Sequence, residues 1–429
     1  MNPIHYPELD EVCYREVLSN GLTVAVVPRK GFTKRLAYFV TDFGSVHTDF
    51  AFGGREYHTP AGVAHFLEHK MFDMPGNRDV SAEFAALGAM TNAFTSYDMT
   101  AYYFSCTEHF EDCLKLLLEF VSTPYFTAES VEKEQGIIDQ EIGMNEDAPE
   151  SVIFENLMQI LYEKHSIRVP ILGTSETIRQ ITPEILETCH RAFYTPGNML
   201  LCVVGDVDAE GVAEIARQVL GETSGEVGQK LRDWQESPVL TRRETRCAME
   251  VAMPMFNLAF KAEPVGLGEE AIRREMVADL AAEALFGESS ELYLRLYEDG
   301  IIDSSFGGGF ETIDGCAMLL CSGDSDDPEA VREAILAQAK KIVETGLEER
   351  EFLRLKRSAL GRRIRGLDSF DATCFRVCAY HFSGFDYFRF PEVYRSIQPQ
   401  EICDFLSRAI RRENCGLSVI IPMKKEAEQ

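Results

Sequence analysis

Short apolar runs broken by turn residues open the chain and predict strands. Arg15 to Leu18 and Leu22 to Val27 read as a hairpin joined by Ser19-Asn20-Gly21, since Asn-Gly favours a tight primed turn. The spacing then becomes helical. Thr59 is placed to cap a helix with Pro60 at its first position, and Ala61 to Phe72 holds no breaker beyond the early Gly62. Met90 to Phe94 and Thr100 to Cys106 alternate as two strands around Ser96-Tyr97-Asp98. Phe110 to Val121 and Ala128 to Met144 return to helical spacing, and Met199 to Val204 is a short apolar strand ending in Gly205-Asp206.

The second half repeats this order. Ile181-Thr182-Pro183 leads a helix and then the strand from Met199, and Ile397-Gln398-Pro399 leads a helix and then a strand from Leu417, at offsets of 216 and 218 residues. Val131 to Met144 finds its counterpart in Glu349 to Ile364, and Ala61 to Phe72 in Val277 to Phe286. A period this long means a duplicated domain, because solenoid units run only about 20 to 50 residues. The expected organisation is residues 1–225, a polar, turn-rich linker at 226–245, and a homologous domain over 246–429. Hairpins mixed with helices, without regular βαβ alternation, predict an α+β fold in which each domain is a largely antiparallel sheet packed with helices.

Composition narrows the function. The 429 residues carry 42 Lys and Arg against 70 Asp and Glu, a net charge of −28, so nucleic acid is not the expected partner. Cationic partners such as basic peptides suit that balance better. The one dense basic run, Arg354 to Arg365, reads as a solvated helix or an inter-domain charge contact. No stretch approaches the roughly 20 apolar residues of a membrane span. The first residues also lack the basic and apolar segments of a signal peptide, so a cytoplasmic protein is expected. The 12 cysteines contain no CxxC pair, which favours buried reduced thiols over a thiolate metal site. Cys374 and Cys378, four apart, are read as core packing.

The candidate chemistry is His65-Phe66-Leu67-Glu68-His69. On a helix the two histidines share a face, where both imidazoles can reach one ion about 2.0–2.1 Å away. Glu68 projects to the same side. Beside an ion rather than on it, it could take a proton from water whose pKa zinc lowers to about 7. A third ligand must come from elsewhere. The helix Val131 to Met144 offers Glu134 and Glu141, two turns apart. Glu141 is preferred as ligand, with Glu134 as a nearby carboxylate that orients the site.

HFLEH, the pair Glu134 and Glu141 in EQGIIDQE, Asn92-Ala93-Phe94-Thr95, the segment TPGNM at 195–199 and the repeated halves resemble the pitrilysin/insulinase (inverzincin) metallopeptidases. The two-domain length resembles the short, two-subunit branch that includes mitochondrial processing peptidase and paired bacterial peptidases. The resemblance implies one Zn2+ per chain held by His65, His69 and Glu141, with Glu68 as general base and Glu134 in support. It also implies a peptide substrate that lies as an added strand along Asn92, Ala93 and Phe94. Self-sufficient members carry in their second half an Arg and, seven residues on, a Tyr that stabilise the oxyanion. Arg295 fits the first position, but the second falls on Ile302 or, with one insertion, Asp303; Tyr297 is out of register. The expectation is therefore a zinc endopeptidase subunit that works with a homologous partner, as a homo- or heterodimer, supplying the Arg/Tyr pair. The alternative is a non-catalytic assembly subunit of such a complex.

Overall fold

The structure, a computed structural model, describes residues 1–231 and 236–423, so part of the expected linker and the last six residues of the second expected domain lie outside the described residues. The chain divides into two compact units. One comprises Met1–Ile142, Pro170–Asp233 and Ile364–Arg389, the other Gly143–Val169, Trp234–Arg363 and Phe390–Gln429. The fold is α+β in both.

The first unit is built on a seven-stranded sheet in the order Asn2–Tyr6, Glu11–Val17, Thr23–Pro28, Met199–Gly205, Arg35–Thr41, Thr100–Cys106, Met90–Thr95. Every neighbouring pair is antiparallel except Met199–Gly205 with Thr23–Pro28. Met199–Gly205 is buried at all its positions, which explains why its sequence, MLLCVVG, runs apolar without alternation. Val24, Val26, Phe39, Phe104, Leu201 and Val203 pack in one core with Leu114, Leu117, Val212 and Ala216 of the helices Phe110–Val121 and Ala209–Leu220. Fully burying each of the valine, leucine and phenylalanine side chains among these contributes about 1.5–3 kcal/mol. Met90–Thr95 is left as an edge strand.

Two local expectations are corrected. The first hairpin does not close on a two-residue primed turn. Leu18 N donates to Leu22 O, Gly21 alone takes positive φ (87°), and the buried Asn20 side chain is used by Leu22 N and Gly221 O. The predicted helix from Ala61 begins at Val63 after Gly62, while Thr59 spends its hydroxyl on Thr48 O instead of capping.

The second unit holds a five-stranded sheet in the order Glu244–Met249, Cys415–Pro422, Met255–Lys261, Cys316–Asp324, Gly307–Ile313, with its one parallel pair between the first two. This is the first unit's order from Thr23–Pro28 to Met90–Thr95, parallel pair included, so the duplication is visible in topology. The helix Glu269–Phe286 packs on the edge strand Gly307–Ile313, and Val63–Lys70 packs on the edge strand Met90–Thr95. The chemistry of the two differs. Glu275, Asp279 and Glu283 form a stripe at four-residue spacing. Arg363 lies 2.7 Å from Asp279 and 3.5 Å from Glu275, and Arg362 lies 2.9 Å from Glu283. Part of the basic run is thus ion-paired inside one unit. All twelve cysteines are free, and all but Cys247 are buried. Among the described residues no helix is long and apolar enough to cross a membrane.

Candidate active site

The histidine helix Val63–Lys70 starts where only glycine fits: Gly62 has φ 91°, and a Cβ there would stand 2.4 Å from Leu172 O. Phe66 and Leu67 are fully buried and fix the helix to the core, which turns His65 and His69 together along another face. Their ring centroids are 4.6 Å apart. The glutamate helix Ala128–Glu146 buries Val131, Ile138 and Ile142, and this anchoring presents Glu134 and Glu141 to the histidines.

His65, His69 and Glu141 bring their ligand atoms within 4.8 Å of one another. His65 Nε2 lies 3.7 Å from Glu141 Oε1, and His69 Nε2 lies 3.7 Å from Glu141 Oε2. These separations are too long for hydrogen bonds. They approach the roughly 3.4 Å between neighbouring ligands of a tetrahedral ion with bonds near 2.1 Å. Burial, with the His69 charge beside it, pushes His65 down to about 3, so its ring is neutral as a metal ligand requires. Its Nδ1 is buried without a hydrogen-bond partner among the described residues. Two imidazoles and one carboxylate suit zinc chemically, and the donor set fits one divalent cation.

Behind the three donors stands a supporting chain. Glu134 Oε1 lies 3.0 Å from His69 Nδ1, and its other oxygen lies 3.8 Å from Nζ of Lys70. Lys70 is 1% exposed, pairs with Asp73 and donates to Ser130 O at 3.3 Å. Burial pushes Glu134 up, but its hydrogen bond with His69 and the nearby lysines outweigh this and hold it below the usual range. Burial pushes His69 down, and the same hydrogen bond with the charges of Glu68, Glu134 and Glu141 reverses the direction. Glu68 is raised, chiefly by burial, while a hydrogen bond from Thr95 opposes the rise. That bond, from Thr95 Oγ1 to Glu68 Oε2, is 2.6 Å long.

Beside these groups lies a cavity of about 280 Å³ lined by Glu68, His69, Phe72, Ser81, Thr91, Asn92, Ala93 and Glu134. The edge strand therefore borders the same space as the two helices. Asn92 Oδ1 accepts from Ala93 N at 2.9 Å. Phe94 turns to the opposite face, where it meets Phe375 at 6.0 Å and Tyr103 at 6.4 Å. Arg295 lies in the second unit on the helix Glu291–Glu298, with its side chain exposed. In the same unit Ile302 is buried, Asp303 accepts from Ser305, and Tyr297 stacks on Tyr293 with ring centroids 5.8 Å apart.

Sequence reasoning gave no role to two residues that touch this group, Thr95 and Lys70. Thr95 shares its side of the strand with Ala93 by the two-residue period. Lys70 follows the HFLEH motif directly, where a cation buried among Phe66, Leu67 and Met71 needs an anionic partner.

Comparison with known proteins settles the family. Residues 46–175 match the family described as Insulinase (Peptidase family M16), and residues 180–359 match its companion, Peptidase M16 inactive domain. A Bacillus subtilis (strain 168) relative, "Uncharacterized zinc protease YmfH", is 35% identical over 427 residues, covering 98% of this chain and 99% of its own. The chain belongs to the M16 peptidase family. A second Bacillus subtilis (strain 168) protein, "Uncharacterized zinc protease YmxG", is 26% identical over 327 residues, 74% of this chain and 77% of its own. The crystal structure of an M16-like peptidase from Alicyclobacillus acidocaldarius superposes with a TM-score of 0.92 at 30% identity, covering 98% of this chain and all of that one. A Helicobacter pylori protease shares the M16 fold at a TM-score of 0.81 and 18% identity, over 96% of this chain and 99% of its own. The half matched by the companion description carries no histidine on its helix Glu269–Phe286, and the His-His-Glu group of the M16 chain lies in the other.

Proposed function

We propose that this chain is a zinc-dependent endopeptidase subunit that hydrolyses peptides or unfolded segments. Its substrate enters a chamber enclosed with a homologous partner subunit. The observation that carries the reading is the convergence of His65, His69 and Glu141, with the Glu68 carboxylate alongside and facing the cavity. One zinc ion per chain, held by those three residues, would supply Lewis-acid polarisation of a peptide carbonyl and make water there more acidic. Glu68 accepts the proton of the attacking water and returns it to the leaving amine. Glu134 accepts from His69 Nδ1 and so fixes the tautomer whose Nε2 lone pair points to Glu141.

The substrate lies beside Asn92 and Ala93, because an open edge offers main-chain hydrogen bonds to any sequence. The Ala93 N–H is taken by Asn92 Oδ1, an internal acceptor that a peptide carbonyl replaces on docking. The partner supplies the Arg/Tyr pair: Arg295 is present, but the tyrosine position is filled by buried Ile302 or by Asp303. One missing oxyanion donor costs on the order of 10²–10³ in rate, so the isolated chain is expected to be slow. We place the protein in the cytoplasm and expect basic peptides to be preferred.

The same incomplete pair favours a second reading, a non-catalytic assembly subunit. Zinc analysis together with a Glu68→Gln variant separates the two. The enzyme reading expects near-stoichiometric zinc in both proteins and peptide cleavage only where Glu68 is present. Cleavage that survives the substitution, or no cleavage by the wild-type complex, overturns it.

A further inference from the structure

Glu68 is supported by the very strand that borders the substrate cavity. Thr95 Oγ1 donates to Glu68 Oε2 at 2.6 Å, and among the described residues this is the hydrogen bond made to that carboxylate. A bond this short between a hydroxyl and a carboxylate is of the charge-assisted class. The hydroxyl itself is held still. Thr95 pairs with Thr100 in the sheet, Ser96 N donates to Met99 O at 2.8 Å to close the turn, and Thr100 Oγ1 donates to Phe43 O at 2.8 Å. Threonine is also stiff at χ1. The nearby buried hydroxyls of Tyr102 and Tyr194 bond each other at 2.9 Å, and among the described residues neither bonds Glu68.

With one oxygen of Glu68 anchored by Thr95, the carboxylate cannot turn freely about its last bond, and the other oxygen is the one left for a proton. Ala93 lies two residues before Thr95 on the same face of the strand, and lines the cavity with Thr91. A peptide added at Ala93 therefore stiffens the segment whose next inward side chain sets the base.

We infer that Thr95 is a positioning residue for the general base and couples peptide docking on the edge strand to the alignment of Glu68. The inference rests on the peptidase reading above. The hydroxyl takes no proton; it acts only by orienting the carboxylate. Glu68 acts upon the substrate, whereas Thr95 acts through Glu68, so its loss affects turnover more than peptide binding.

The test uses the full-length protein with whatever partner co-purifies, on casein as an unfolded substrate, comparing wild type, Thr95→Val, Thr95→Ser and Glu68→Gln. Valine keeps the shape and removes the hydroxyl. Thr95→Val is expected to lower kcat about 10- to 100-fold with KM within about twofold and with zinc content unchanged. Thr95→Ser is expected to recover most of the loss. A Thr95→Val kcat within about twofold of wild type overturns the inference, as does a loss that falls on KM or zinc content, or a serine variant no better than valine. Glu68→Gln keeps the two failures apart. If it cleaves casein, or if wild type does not, the peptidase reading fails and takes this inference with it. If it is inactive while Thr95→Val runs at the wild-type rate, only the inference fails.

Discussion

Lys70 Nζ lies 3.8 Å from Glu134 Oε2, so the carboxylate that bonds His69 through one oxygen faces a buried cation through the other. Lys70 also pairs with Asp73 and reaches Ser130 O on the glutamate helix, which ties the two site helices together. Removing one partner of a buried pair leaves the other uncompensated, at a cost of about 3–5 kcal/mol. Lys70→Ala is expected to lose stability of that order in urea unfolding of the metal-free protein. Lys70→Met, which restores the packed stem but not the charge, should lose less; equal losses would assign the effect to the lost charge alone, and wild-type stability of Lys70→Met would assign it to packing alone.

Glu134→Ala removes the acceptor that orients His69 at 3.0 Å without touching the three converging donors. Zinc affinity is expected to fall about 10- to 100-fold, read by competition with a chelator. An unchanged affinity would show that His69 is oriented by something else.

Gly62→Ala tests how the histidine helix begins. The residue holds φ 91°, and the added Cβ would stand 2.4 Å from Leu172 O, so both backbone strain and a clash are introduced. A destabilisation of at least about 2 kcal/mol is expected in thermal or urea unfolding. Wild-type stability in this variant would mean that the helix starts in another way.

Glu236 carries an expected pH dependence in the second unit. Burial pushes its carboxyl up, but N–H bonds from Glu163, His165 and Lys164, with the Lys261 charge, bring it down to about 2. A depressed carboxyl contributes stability that is complete above its unfolded pKa of about 4.3 and is lost as pH falls towards 2. Wild type should be more stable than Glu236→Gln at pH 7, and the two unfolding curves should converge between about pH 4.5 and 2. Parallel curves across that window would exclude the contribution.

The repeated succession of elements was legible in the sequence because strands such as Met199–Gly205 and Cys415–Pro422 are buried over all or most of their length and must read as apolar runs. The donors were legible for a related reason. Four-residue spacing on a helix forces His65 and His69 together, and seven-residue spacing aligns Glu134 with Glu141. What spacing cannot give is contact between elements distant in sequence. The Thr95 bond to Glu68 spans 27 positions and the Lys70 contact with Glu134 spans 64, and neither leaves a local signal. Turn details failed where tertiary contacts prevailed over propensity: Asn20 was drawn to Gly221 O, and Thr59 to Thr48 O.

Whether His65, His69 and Glu141 together hold one divalent cation can be read without any substrate, from zinc binding to the purified chain in equilibrium dialysis. One zinc per wild-type chain is expected, with an affinity at least about 100-fold weaker in Glu141→Ala, since a catalytic site keeps three protein ligands and this variant has two. A wild-type chain that stays metal-free in excess zinc would contradict it, as would a Glu141→Ala chain that binds zinc as tightly as wild type.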